Sequence, residues 1–426
     1  MKHAVLPLAL PPSLVPERLP TNFTTRYHAV HRWFNFVAGF SPEFVAQCIA
    51  EEQGRAEVLL DPFMGCGTAQ VEAIKFKIRT IGFDPHPIFF RIARAKTSPK
   101  FDRLPEIEAA IQRGFRTPVT PSALGQKPAE FLSKLIQPDI LSKLVGARIE
   151  LAKAELDKDD LAFLVLSKIL DSASHSKTDG IYKAPTSAKK ALDVSVALAR
   201  TLQMIREDAE ELTHRPSIEC QLVNSTSEQM TTVRSHSVDL VVTSPPYLNN
   251  FDFAEMTRMY LYFWGIATTW GEITERVRAK LIVNTTTALK GHKDKQEFYK
   301  NQLPQRIQRR LAPIVEALRR ARLVKAGKKE YDFLVYPYFA QMRSVIRECG
   351  RVMKPGAAFH MMVSDAALYG TYIPTHEVIA EILEEEGFMP VGWTQVRRRG
   401  HRWVLDKREG SSNGLGEYHI KARRPV

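Results

Sequence analysis

The stretch VLLDPFMGCGTAQVEAIKFKIRTIGFDPHP, spanning 58–87, constrains the fold more than any other part of the chain. A short apolar run is followed by a turn with glycines at 65 and 67. A helical spacing with Val71 and Ile74 comes next, and then a second apolar run that ends in Asp84. Strand, turn, helix, strand is the unit of a doubly wound α/β sheet. Glycine has no Cβ, so Gly65 and Gly67 let the turn take positive φ and bring backbone close to a ligand. An acid about 20 residues on, ending the next strand, can accept hydrogen bonds from both ribose hydroxyls. The turn is neither GxGxxG nor GxxxxGK[ST], which favours a nucleoside without pyrophosphate.

A second signal is TSPPYLNNFDF at 243–253, directly after the apolar run VDLVV. Prolines cannot donate to a sheet ladder, so Pro245 and Pro246 end the strand and stiffen the path beyond it. The carboxyl ends of strands in open α/β sheets are where ligands bind, which puts Ser244 and Tyr247 at a candidate site.

The remaining elements fill in around these two. Ser41 and Pro42 mark a helix start running to about Glu52, and 100–220 reads as a mainly helical insertion with a polar break at 175–190. Residues 338–367 read as helix, Lys-Pro-Gly turn and strand. A helix over 376–388 ends at Gly387, and the last residues, through EYHIKARR, read as edge strands. The segment division is therefore 1–30 arm, 31–99 first half of the sheet, 100–220 insertion and 221–426 second half.

Charge points to a polyanionic partner. The chain carries a formal +13, and between Arg276 and Glu330 there are 16 Lys or Arg against 4 Asp or Glu, a net +12. The four cysteines are scattered without zinc spacing, which implies a reducing compartment and no structural metal. No apolar run is long enough to span a membrane, and the proline-rich start does not read as a secretory signal, so the expected location is cytoplasmic.

Taken together, DPFMGCGTAQVEA, GFDPHP and TSPPY resemble the S-adenosylmethionine-dependent methyltransferases that modify exocyclic amines of DNA bases. In that resemblance the first segment is the FxGxG cofactor motif, the second the acidic strand and the third the [DNS]PPY catalytic motif. HRWFNFVAGFSPEF and YFAQMRSVIRECGRVMKPGAAFHMMVSD extend the likeness to roughly half of the chain.

The resemblance implies a Rossmann-like class I methyltransferase sheet and S-adenosyl-L-methionine as cofactor. It implies a cofactor set of Asp61, Phe63, Gly65, Gly67, Thr68, Asp84 and Thr243, with Asp84 on the ribose. Ser244, Pro245, Pro246 and Tyr247 form the catalytic set: Ser244 and the Pro245 carbonyl accept from the target amine and Tyr247 stacks on the base. Serine in the motif leans to cytosine N4 over adenine N6. No metal is required.

The chain departs from the family at LVNSTSEQM, where Asn224 and Ser225 replace an acid that contacts adenine, and at Gly39, where a lysine is common. The implied partner is double-stranded DNA, held by 276–330 and the insertion, with a restriction or defence protein alongside. RNA methylation and a catalytically silent DNA-binding subunit are the alternatives; the shortness of the stretch before the first motif disfavours RNA.

Overall fold

A computed structural model describes residues 22–34, 36, 38–178, 183–212, 218–324, 329–399 and 415–426. At its centre is a seven-stranded sheet. In chain order its strands are β1 (Val58–Asp61), β2 (Arg79–Phe83), β3 (Cys220–Val223), β4 (Val238–Thr243), β5 (Met353–Ser364), β6 (Val391–Arg399) and β7 (Leu415–Arg423). Across the sheet they run 3-2-1-4-5-7-6, parallel from β3 to β5, with β7 antiparallel to both β5 and β6. The first five follow the doubly wound order, and the chain direction across the sheet reverses between β1 and β4. This is the Rossmann-like class I arrangement.

Parallel strands are buried on both faces, and the side chains of β1 and β4 alternate between two cores. Leu59, Leu240 and Val242 pack under α1 (Pro42–Glu51) and α2 (Thr68–Lys75), with Val45 and Ala69 among their neighbours. Leu60 and Val241 face the opposite way. They share a core with residues of α9 (Val335–Val352) and α10 (Thr375–Glu385). Ser41 caps α1, its Oγ accepting from Phe44 N at 3.2 Å, with Pro42 at the first turn as the sequence indicates.

The insertion contributes α4 (Leu104–Arg116), α5 (Pro138–Lys153), α6 (Asp160–Ala173) and α7 (Val194–Leu212), and the sheet resumes at Cys220. Its helices share one core with Trp33, with Phe89 of α3 (Pro87–Thr97) and with Phe263. The basic α8 (Gln305–Val324) instead buries Ile307, Leu311 and Leu318 in the core of α9 and α10. Residues 179–182 of the polar break, and the arm before residue 22, lie outside the described residues.

Two expectations are corrected. Residues 415–423 do not form an edge: β7 lies between β5 and β6, and β6 takes the edge. An alternating pattern such as that of EYHIKAR shows which side chains share a face but not which strands lie on either side. Lys354, Pro355 and Gly356 do not form a free turn after the helix. They lie within β5, where the register jumps from Val238↔Met353 to Leu240↔Ala358, and Gly356 takes φ +76°. Proline is tolerated there because the irregularity removes the ladder bond it could not make.

Candidate functional site

The loops following β1, β2 and β4 open onto one cavity of about 410 Å3, at the place where the strand order reverses. Its wall includes Phe63 and Gly65 after β1, Asp84 and His86 after β2, Thr226 and Ser227 after β3, and Ser244 to Tyr247 after β4. Phe36, Phe89, Phe251 and Phe253 make the wall largely aromatic.

The turn after β1 is built by hydrogen bonds that converge on two buried acids. Asp61 Oδ1 accepts from Phe63 N at 3.0 Å and from Thr243 Oγ1 at 2.7 Å, which ties the β1 turn to the end of β4. Asp84 accepts from Gly65 N at 3.0 Å and from His86 N at 2.7 Å. Burial pushes each carboxyl up to about 7 against these donors. Asp61 Oδ2 has no hydrogen-bond partner. Asn224 Nδ2 donates to the Asp84 carbonyl at 2.8 Å, so it braces the acid from behind.

Gly65 and Gly67 have φ of +50° and +81°. A Cβ on Gly65 would lie 2.8 Å from the Phe36 ring, so the close approach of that aromatic requires glycine. Gly67 is the left-handed cap of α2 and packs on Ala93 of α3. His86 accepts from Ile88 N through Nδ1 at 3.3 Å and lies 2.9 Å from Thr257 Oγ1 through Nε2. These contacts assign the neutral tautomer protonated at Nε2, consistent with burial lowering its pKa to about 3.

The loop that follows β4 is held from outside the cavity. Tyr338 donates from its hydroxyl to the Pro246 carbonyl at 2.9 Å. Asn284 Nδ2 donates to the carbonyls of Tyr247 at 3.3 Å and Phe251 at 2.9 Å, and its own carbonyl accepts from Asn249 N at 2.6 Å. Asp252, two residues before Ala254, caps the short helix Phe253–Met256 and takes a buried Arg278 at 3.0 Å. The Tyr247 side chain therefore projects from a backbone fixed at several points.

Of the residues singled out in the sequence, Phe63, Gly65, Asp84 and Ser244 to Tyr247 line the cavity. Asp61, Gly67, Thr68 and Thr243 do not; they lie beneath the wall or begin α2. Sequence reasoning noted Arg397 only as part of a basic cluster and Lys280 only within the basic segment 276–330, and passed over His86, Asn250 and Glu417 on the wall and the aromatics Phe251 and Phe253. The pair FDF stood in the quoted stretch, and its alternation was the available signal. Arg397 ion-pairs with Glu417 across β6 and β7.

Most of the basic segment is paired within the fold. Arg306 meets Glu384 at 2.8 Å, Arg310 meets Glu377 and Glu381, Arg322 meets Asp332 at 2.9 Å, and Lys293 meets Glu330 at 2.6 Å. Among the described residues of the segment Lys280, Lys290, Lys295, Arg309 and Lys329 make no ion pair, and Lys280 stands on the cavity wall.

No protein-family model matches the chain. Type II methyltransferase M.BsoBI of Geobacillus stearothermophilus is 25% identical over 463 aligned residues, which cover 96% of this chain and 86% of the relative. The chain is thus similar to a type II methyltransferase over nearly its whole length. Type II methyltransferase M.AvaI, from a Nostoc strain and from Anabaena variabilis, is 26% identical over 401 residues, covering 84% of this chain and 79% of the relative. A solved S-adenosylmethionine-dependent methyltransferase of Methanosarcina mazei aligns over 89% of this chain and 97% of its own at 10% identity, with a TM-score of 0.29. That likeness is too slight to argue from, and the fold rests on the strand order.

The cofactor of such a sheet is S-adenosyl-L-methionine, and the cavity fits it. The volume lies in the range of small-molecule sites, and Gly65 of the β1 turn and Asp84 at the end of β2 both stand on its wall. No helix among the described residues is long and apolar enough to cross a membrane.

Proposed function

We propose that the protein methylates the exocyclic N4 amine of a cytosine flipped out of double-stranded DNA. The observation that carries the reading is the meeting of two motifs in one cavity. Phe63, Gly65 and Asp84 form its cofactor side, and Ser244, Pro245, Pro246 and Tyr247 its target side. When bound, S-adenosyl-L-methionine supplies a methyl group on an electrophilic sulfonium.

The residues of this chain then do three things. Ser244 and the Pro245 carbonyl accept hydrogen bonds from the target amine, whose lone pair is otherwise delocalised into the ring, and so favour a tetrahedral nitrogen. Tyr247 stacks on the base; unstacking costs a few kcal/mol, and an aromatic platform returns about 1–3 of them. Tyr338 and Asn284 hold the loop in this geometry before substrate arrives, so little reorganisation remains at the moment of transfer. The proton leaving the methylated amine passes by way of Ser244 Oγ to water.

Lys280 and the other basic residues without ion pairs supply phosphate contacts around the cavity, and the helical insertion supplies the second DNA-facing surface. The second reading is adenine N6, which the same acceptors would serve. The serine at position 244 favours cytosine. The type II names of the relatives favour a restriction nuclease of the same sequence specificity as partner. Nucleoside mass spectrometry of unmethylated DNA, after incubation with protein and S-adenosyl-L-methionine, separates the readings. N4-methylcytosine supports the first, N6-methyladenine replaces it with the second, and neither product from cofactor-binding protein removes DNA as the substrate.

A further inference from the structure

On the α1 side of the sheet, three metal-ligating groups from distant parts of the chain meet in an otherwise apolar layer. Cys48 lies on α1, His360 on β5 and His419 on β7, all buried. One ligand atom from each lies within 4.8 Å of the others. His360 Nδ1 and His419 Nε2 are 3.0 Å apart. The register explains the convergence: His360 stands opposite Lys421 and His419 opposite Met362, so both imidazoles leave the same face of the sheet. Met362 packs in the core formed with Val45 and Cys48 of α1, which identifies that face.

A tetrahedral zinc ion, with Zn–N of about 2.0–2.1 Å and Zn–S of about 2.3 Å, holds its ligand atoms about 3.3–3.7 Å apart. The two nitrogens already stand near that separation, and the sulfur needs a shift of about 1 Å. Glu51, three residues beyond Cys48 on α1, holds the Lys421 ammonium with both carboxylate oxygens at 2.8 Å.

We propose that Cys48, His360 and His419 bind a divalent transition-metal ion of the zinc class, with Glu51 leaving Lys421 to close the fourth position. On binding, the Cys48 thiol releases its proton to solvent and ligates as thiolate. The imidazole that donates in the His360–His419 hydrogen bond moves its N–H to its other nitrogen, so both rings ligate as neutral groups. The site is closed and structural. It pins α1 to the last two interior strands, and it reaches the cavity through packing: Phe44 lies edge-on to His419 at 4.9 Å and to Phe40 at 5.7 Å, and Phe40 lines the cavity.

The test is metal analysis of tag-free full-length protein purified without chelator, followed by titration of the chelator-stripped protein with cobalt(II). About one metal ion per chain and a thiolate-to-cobalt charge-transfer band are expected. The band should vanish in Cys48→Ser, weaken in His419→Gln and survive in Cys220→Ser, with thermal melts in chelator confirming that each variant folds. A stripped wild type that gives no band, or a band unchanged in Cys48→Ser, overturns the proposal and leaves the histidines as a hydrogen-bonded core pair.

Discussion

The two sides of the cavity are built on different principles. On the cofactor side the chain binds itself: both oxygens of Asp84 already accept backbone N–H groups, Gly65 is pressed against Phe36, and burial has lifted two carboxyls to about 7. The target side works the other way. There Ser244 and Tyr247 are only partly buried, while the order of the loop comes from residues behind it, Tyr338 and Asn284. A small fixed cofactor needs a preformed cradle, whereas a base arriving from a duplex needs an open mouth with a rigid floor. Changes on the cofactor side should therefore appear as lost affinity, and changes on the target side as lost rate.

Ser244→Ala is expected to give the largest effect, a fall of about 10²–10³ in kcat with cofactor Kd little changed, as for removal of one preorganised polar partner. A matching loss of cofactor affinity in calorimetry would break the division. Tyr247→Ala follows, with a loss of about 1–3 kcal/mol in kcat/KM for DNA, while Tyr247→Phe retains most of the activity because the stacking face is kept. On the opposite wall, Gly65→Ala should weaken cofactor binding about tenfold or more, since a left-handed alanine costs about 1–2 kcal/mol before the clash with Phe36. Substrate turnover at saturating cofactor should recover.

Asp61 gives a pH signature confined to the cofactor side. Its folded pKa of about 7 lies above its ordinary 3.8, so the folded state holds the proton longer. Stability is full below about pH 4 and is lost as pH rises through 7. Asp61→Asn removes that slope, so the stability of the variant relative to the wild type should rise by on the order of 2–4 kcal/mol between pH 4 and 8. Urea melts at both pH values check it. The smallest effect is expected at the rim: Lys280→Ala should weaken DNA binding a few-fold and reduce its salt slope by about one, while Arg310→Ala, already paired with acids of α10, should do neither.

What the sequence made legible follows the same line. The β1 turn, Asp84 and the end of β4 could be read because glycine, proline and apolar runs act locally, over a few residues. The remaining wall could not. Phe36 reaches Gly65 only through packing, Thr226 and Ser227 are placed by the pairing of β3 with β2, and Arg397 and Glu417 arrive because β7 is inserted beside β5. Arg397 stands in a basic run and Phe36 in a quoted segment, but neither stretch shows locally that its side chain meets the cavity. Charge was only partly legible for a similar reason: the +12 of 276–330 is concentrated in sequence, but acidic partners of its arginines on α10 lie about 70 residues away and are visible only in three dimensions.

The insertion of β7 between β5 and β6 also sets an order of events during synthesis. The residues proposed to cradle the cofactor lie in the first quarter of the chain, but the sheet cannot close, nor Glu417 take its place on the wall, until Arg423 has been added. The pairings of β7 with β5 and β6 are completed last, and a nascent or prematurely terminated chain lacks one wall of the site. The antiparallel strand thus acts as a timer. A chain that stops after Ser364 would keep the β1, β2 and β4 loops of the cavity and lack β6, β7 and the Arg397–Glu417 part of its wall.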